Sequence, residues 1–254
     1  MSVYITGDIH GDPFSRLSRR NFPAGNDLTK EDYMIIAGDF GCIWEYTGET
    51  KEERYNLDWL EDLPFSVLFV DGNHENFARL YEYPTSDWHG GVVRKIRPHV
   101  MHLERGQIFD IDGKTFFTFG GARSHDISEG IIDPTDPADV AKWKRWNKDM
   151  QYHAFRVLGI SWWVEEMPSD AEMEKGRNNL EKAGDKVDYV ITHCPPTSVL
   201  SQMGFPIHDA DILNTYLEML KNRTEYKNWY FGHMHKDEEY GKDIALYKRI
   251  RKVF

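Results

Sequence analysis

Five short apolar runs punctuate the chain, and each stops at a glycine or at a cluster of polar residues. They cover residues 3–6, 33–37, 67–70, 187–192 and 229–231. All five are rich in β-branched or aromatic residues and too short for a buried helix, so each predicts a short buried strand. Helical spacing fills several of the gaps. Residues 51–61 are amphipathic, and 75–83 place Phe77, Leu80 and Tyr81 on one face. Residues 170–183 follow a capping residue at Ser169, and 209–220 carry Ile212, Leu213, Tyr216 and Leu220 at helical intervals. Residues 107–119 predict two strands around Asp112-Gly113, a favoured two-residue hairpin turn, and 244–247 predict another strand. Strands alternating with helices give an α/β (α+β) fold, a sandwich of two sheets with helices outside.

Residues 122–163 depart from this rhythm. DPTDP brings two prolines, AKWKRWNKDM follows, and the stretch holds Trp143, Trp146, Trp162 and Trp163. It reads as an insertion with its own short helix, a candidate lid over a site. The plainer alternative is a solvated helical excursion whose aromatics pack on the main body. The 254 residues suit one α/β domain carrying such an insertion.

Charge narrows the partners. The formal net charge is −11, which gives little non-specific attraction to a phosphate backbone, so long nucleic acid is disfavoured as a partner. Carboxylates gathered to hold cations would add to that total. Cys42 and Cys194 make neither a disulfide framework nor a CxxC site, which places the chain in a reducing cytoplasm. Both lie near candidate ligands and are expected either close together or as small buried residues. No run of about 18 apolar residues predicts a membrane span, and the N-terminus lacks the pattern of a signal peptide.

The polar clusters that end the five runs carry the chemistry. In order they are Asp8 and His10 in GDIHG, Asp39 in GDFG, Asn73 and His74 in GNHE, His193 in THCPP, and His233 and His235 in GHMH. Singly, each has a bland reading: a turn, a cap, a helix start, a hydrogen-bonded histidine. Their recurrence at successive strand ends is what the bland readings do not explain. Ligands of open α/β sheets collect at the carboxyl ends of strands, so the five segments are expected on one rim. Carboxylates with imidazoles suit borderline divalent ions such as manganese, iron and zinc. Asp8-x-His10 and His233-x-His235 place alternate side chains on the same side of an extended segment, so each pair can chelate. Asp39 has two oxygens and could bridge two ions.

These blocks resemble the calcineurin-like metallophosphoesterase superfamily, whose pattern is GDxH, GD, GNH[DE], a lone His, then GHxH. All are present in order from Gly7 to His235. The resemblance implies a β-sandwich flanked by helices and two divalent metal ions, Mn²⁺ first, with Fe, Zn, Ni or Mg as alternatives. It implies that Asp8, His10 and His235 bind one ion and that Asn73, His193 and His233 bind the other. Asp39 would bridge them, and His74 would assist the leaving group without ligating. Protein phosphatases of this type continue the second block as GDxVDRG. Here it reads GDFGCIW, without the second aspartate and without the phosphate-gripping arginine. Arg123, in FFTFGGARS, is the candidate substitute. The closer resemblance is to bacterial or phage metallophosphoesterases.

The implied function is hydrolysis of a phosphate mono- or diester by metal-activated hydroxide. Glu75 is expected to point elsewhere, as a first-turn acid on the next helix. A nuclease or nucleotide phosphodiesterase is the alternative on the same scaffold, with tryptophans of the insertion stacking on bases. A protein serine/threonine phosphatase and a non-catalytic interaction scaffold rank lower; the scaffold predicts missing ligands, whereas every ligand position is filled. The expected partner is a small phosphoester or nucleotide, with no membrane.

Overall fold

The computed structural model describes residues 1–149, 151–206 and 210–254. Its first sheet is built mostly from the N-terminal half. β1 (Val3–Thr6), β2 (Tyr33–Ala37), β3 (Ser66–Val70) and β6 (Val100–Leu103) run parallel in that order. β5 (Gly91–Arg97) and β4 (Thr85–Trp88) extend one edge antiparallel, and β15 (Arg251–Lys252) closes the other against β1. The second sheet has β8 (Lys114–Phe119), β11 (Tyr189–Thr192), β12 (Asn228–Phe231) and β14 (Asp243–Ala245) parallel. β7 (Gln107–Ile111) and β13 (Glu238–Tyr240) flank it antiparallel. The expected hairpin joins β7 to β8 through Asp112 and Gly113, at φ 55° and 71°. Positive φ at both central residues is what the strand twist demands there.

Period-two alternation assigns each strand's side chains to two apolar layers. Between the sheets lie Ile5, Ile35, Leu68 and Val70 from the first, with Phe116, Ile191, Tyr230 and Ile244 from the second. Met34, Ile36, Val67 and Phe69 turn outward onto Leu57 and Leu60 of α2 (Lys51–Glu61). Phe117, Val190 and Trp229 turn outward onto α5 (Asp170–Lys182) and α7 (Ile212–Arg223). The order is helix, sheet, sheet, helix. Strands buried on both faces explain why the chain reads as short unbroken apolar runs rather than as polar–apolar alternation.

Most helix expectations hold. Thr50 and Ser169 form capping boxes with Glu53 and Glu172. α7 is capped by Asp211, which accepts from Leu213 N–H and Asn214 N–H; Asp209, the expected start, lies outside the described residues, as does Met150 of the 122–163 stretch. The helix expected over 75–83 shrinks to α3 (Phe77–Leu80), capped by Asn76. Glu75 is the reason. Its buried carboxylate accepts from Phe40 N–H at 2.7 Å, Gly41 N–H at 3.2 Å and Gly72 N–H at 3.4 Å. It therefore staples two strand-end loops together instead of opening a helix. The remaining helices are α1 (Phe14–Leu17), α4 (Pro137–Trp146) and α6 (Thr197–Gln202).

Within 122–163, β9 (Gly130–Ile132) pairs parallel with β10 (Phe155–Val157), and α4 buries no residue. Trp146 stacks inside the segment on His153 and Phe155, while Trp163 is buried in the main core with its ring 5.7 Å from that of Trp44. Cys42 and Cys194 are both buried and free, and they belong to opposite outer layers. Among the described residues no helix is long and apolar enough to cross a membrane.

A buried ion pair fixes the end of β3. Asp71 accepts from His102 Nε2 at 2.9 Å and from Arg105 Nε at 2.8 Å, with Arg105 Nη2 also in contact. Burial disfavours the Asp71 carboxylate, but Arg105 and His102 outweigh it and hold its pKa below the usual range. Asp71→Asn removes the nearer of the two carboxylates that face the buried Arg105 cation, leaving only Glu172 at 3.5 Å. Chemical denaturation is expected to show a loss of about 3–5 kcal/mol.

Candidate functional site

The registers bring the strand ends level. Thr6 pairs with Ile36 and Ala37 with Val70 in one sheet; Thr192 pairs with Phe119 and with Phe231 in the other. The chain leaving each of these six strands therefore enters the same space. Asp8, His10, Asp39, Asn73 and His74 arrive from the first sheet, and His193, His233 and His235 from the second.

The arriving side chains interlock. Candidate ligand atoms of Asp8, His10 and His235 lie within 4.8 Å of one another, as do those of His10, Asp39 and His74, and those of Asp39, His193 and His233. His10 and Asp39 are the shared members, so the three groups form one continuous patch. His10 Nε2 and His235 Nε2 are 3.0 Å apart, and Asp8 Oδ2 is 3.1 Å from His235 Nε2. His193 Nε2 is 3.2 Å from Asp39 Oδ1. His74 thus sits within ligand reach of Asp39 and His10, although the family pattern gives it another task.

The chemistry of these residues fits divalent metal binding. Asp8 Oδ2, Asn73 Oδ1 and His193 Nε2 are buried and have no aligned hydrogen-bond partner. Orphaned buried acceptors are costly, and each of these three is an atom that a divalent cation would satisfy. The other atom of each group is occupied. His193 Nδ1 donates to Ala37 O at 2.8 Å, which turns Nε2 toward Asp39 Oδ1. Asp8 Oδ1 accepts from His233 N–H at 3.0 Å. Asn73 Nδ2 donates to Ser124 Oγ at 3.4 Å, and Ser124 Oγ donates to Glu166 Oε2 at 2.6 Å. That chain engages the Asn73 amide nitrogen and leaves its buried oxygen unpartnered.

The backbone is strained where the ligands sit. His10, Asp39, His233 and His235 have φ of 47°, 47°, 62° and 50°. Non-glycine residues rarely adopt this left-handed region, and four of the seven proposed ligands do. Two glycines make room for ligand side chains. A Cβ on Gly72 would lie 2.1 Å from Asp39 Oδ1, and one on Gly38, at φ 91°, would lie 2.1 Å from His193 Nδ1.

Charges compensate one another within the patch. Burial works against charge on His193, but Asp39 and then Asp8 outweigh it, and its pKa is pushed up to about 10. Asp39 is held well below the usual carboxylate range: burial opposes this, and His193 overrides it. Burial, with His193 beside it, keeps His233 well below the ordinary imidazole value. His74 is lowered chiefly by burial, with Asp39 opposing and Arg156 reinforcing the shift.

Several residues at the site escape a motif reading. His125 Nε2 lies 2.8 Å from His233 Nε2, at the end of a sixth strand, β8. Arg156 Nη2 lies 3.3 Å from His74 Nε2. Arg123 is exposed and lines a cavity of about 570 Å³ beside His233 and His235, where Leu200, Phe205 and Met234 supply apolar wall. The available signal was continuity: Ser124, His125 and Asp126 directly follow Arg123.

A family model described as calcineurin-like phosphoesterase matches residues 1–237. No curated protein matches the sequence. Among solved structures, the chain is similar to a phosphopantetheinyl hydrolase from Mycobacterium tuberculosis, with 16% identity and a TM-score of 0.45 over 99% of this chain and 95% of that one.

Removing the Ser124 hydroxyl frees the Asn73 amide to rotate. Ser124→Ala is expected to weaken binding of one manganese equivalent by about 10- to 100-fold in calorimetric titration, with the thermal melt of the metal-free protein little changed.

Proposed function

Because the chain belongs to the calcineurin-like phosphoesterase family, we propose that it is a phosphoric-ester hydrolase working with two divalent ions. The observation that carries this reading is the continuous patch of three ligand groups that share His10 and Asp39, with the orphaned buried atoms Asp8 Oδ2 and His193 Nε2 among them. Asp8, His10 and His235 hold one ion; Asn73, His193 and His233 hold the other; Asp39 lies between the two sets. When bound, such a pair acidifies water to a pKa of about 7 and neutralises charge on phosphoryl oxygens. The mixture of carboxylate, amide and imidazole donors suits manganese, iron or zinc, and manganese is the first to test.

The remaining chemistry falls to the chain's own side chains. His74 holds a proton at Nε2 for the departing ester oxygen. Its backbone N–H donates to Asp39 Oδ1 at 2.8 Å, so the ring is placed relative to the same carboxylate that both ion sites share. General acid catalysis of this kind contributes typically about 100- to 10,000-fold. The apolar wall of Leu200, Phe205 and Met234 beside His233 and His235 offers surface to an organic group attached to the phosphate. This favours an organic phosphomonoester or a nucleotide over long nucleic acid. A nucleotide phosphodiesterase is the second reading that the same wall supports.

Asp39→Asn is expected to abolish manganese binding and hydrolysis together. Wild-type turnover in that variant would remove the shared carboxylate from the reading. His74→Ala is expected to keep both manganese equivalents and to lose rate by about 100- to 10,000-fold, most severely for esters with poor leaving groups. Loss of metal in that variant instead would make His74 a ligand. Aryl phosphomonoesters assayed beside aryl diesters and nucleotides, with manganese present, separate the two substrate readings.

A further inference from the structure

Arg156 lies in β10, within the stretch that interrupts the sandwich, and only 7% of its surface is exposed. Its guanidinium has five N–H groups to satisfy. Nε donates to Asp126 Oδ1 and Nη2 to Asp126 Oδ2, both at 2.8 Å, a two-pronged pairing that fixes the plane of the group. Nη1 donates to Ser161 O at 3.1 Å. Two N–H groups are left. The second hydrogen on Nη2 faces His74 Nε2 at 3.3 Å.

That last contact works only while His74 carries its ring proton on Nδ1. A His74 that serves the leaving group needs the proton on Nε2 instead. Two donors would then confront each other across 3.3 Å with no acceptor between them. A phosphate ester supplies what is missing: a non-bridging oxygen for Arg156 Nη2–H and the bridging oxygen for His74 Nε2–H. Resting on the phosphoesterase reading above, we propose that Arg156, braced by Asp126, is the residue that grips the phosphoryl group beside His74. It takes the place of the arginine missing from the GDFGCIW block. Arg123 does not suit this work: it is exposed, it lies beside His233 and His235, and among the described residues nothing holds its guanidinium. The pair of Arg156 with Asp126 is formally neutral, so the grip comes from aimed N–H groups more than from excess charge. A lysine, with a single point charge, cannot reproduce that fork.

The test uses the full chain loaded with manganese and inorganic phosphate as the probe, read by calorimetry. Arg156→Met, which keeps the buried stem, is expected to weaken phosphate binding by about 10- to 100-fold, Arg156→Lys nearly as much, and Asp126→Asn by less. Manganese affinity, measured separately, is expected to stay at the wild-type value in all three. In aryl phosphate hydrolysis, Arg156→Met should raise KM as well as lower kcat. Wild-type phosphate affinity in folded, manganese-loaded Arg156→Met overturns the proposal. Parallel loss of manganese and phosphate in all three variants also overturns it, by assigning Arg156 a structural role. Wild-type protein that binds manganese but neither binds phosphate nor hydrolyses any ester removes the phosphoesterase reading itself, and the clamp falls with it.

Discussion

Asp39 is the carboxylate on which the site depends. It is buried, it sits in left-handed backbone at φ 47°, and its oxygens face histidines from both sheets. An unpaired carboxylate in that position would be expensive, and His193, whose pKa Asp39 raises, offsets that cost. The arrangement is poised for exchange, since a divalent ion supplies the same positive charge more strongly and leaves His193 neutral, with its Nε2 lone pair available. Nδ1 is already committed to Ala37 O, so the ring needs no rotation to change partner. The N–H of His74 donating to Asp39 Oδ1 links the carboxylate's position to that of the proposed acid.

Holding such a residue requires its surroundings to be stiff. Glu75 ties the loop after β2 to the loop after β3 through the N–H groups of Phe40 and Gly41, and it also accepts from Gly72 N–H within its own loop. Asp71, two residues before Asn73, is locked by Arg105 and His102, and Arg105 in turn donates to Glu165 O at 2.8 Å. Left-handed φ at His10, Asp39, His233 and His235 persists because such braces over-determine the backbone. The fold's buried charges are accordingly concentrated behind the candidate site, where precision of placement justifies their desolvation.

The sandwich was legible because its parallel strands are buried on both faces: runs such as YMIIA and SVLFV have no other stable home. The seven proposed ligands were legible because each lies within a few residues of a strand end, where apolar pattern and chemistry coincide in the sequence. Residues 75–83 misled because helical spacing competed with a tertiary demand on Glu75 that no local pattern records. Arg156 was hidden for a related reason. It belongs to a three-residue strand inside an irregular stretch, 82 positions from His74, and only the folded chain brings them together. His125 was missed more narrowly, because β8 ends at Phe119 and is followed by Gly120-Gly121-Ala122, so that His125 comes six positions after the strand, whereas the other strands place a candidate ligand within three.

The three residues 124–126 change what the irregular stretch means. Ser124 orients Asn73, His125 meets His233, and Asp126 braces Arg156 against His74. Glu166, three residues past the far end of the same stretch, completes the first of these by accepting from Ser124 N–H and Oγ–H. A segment that only covered the site could be shortened without disturbing what lies beneath. This one contributes the hydrogen bonds that aim a proposed ligand and contact the proposed acid, and it anchors Trp163 in the core between those two duties. Its two ends are therefore part of the site's framework. Among its described residues, α4 buries none, which is the freedom that a mobile cover would need.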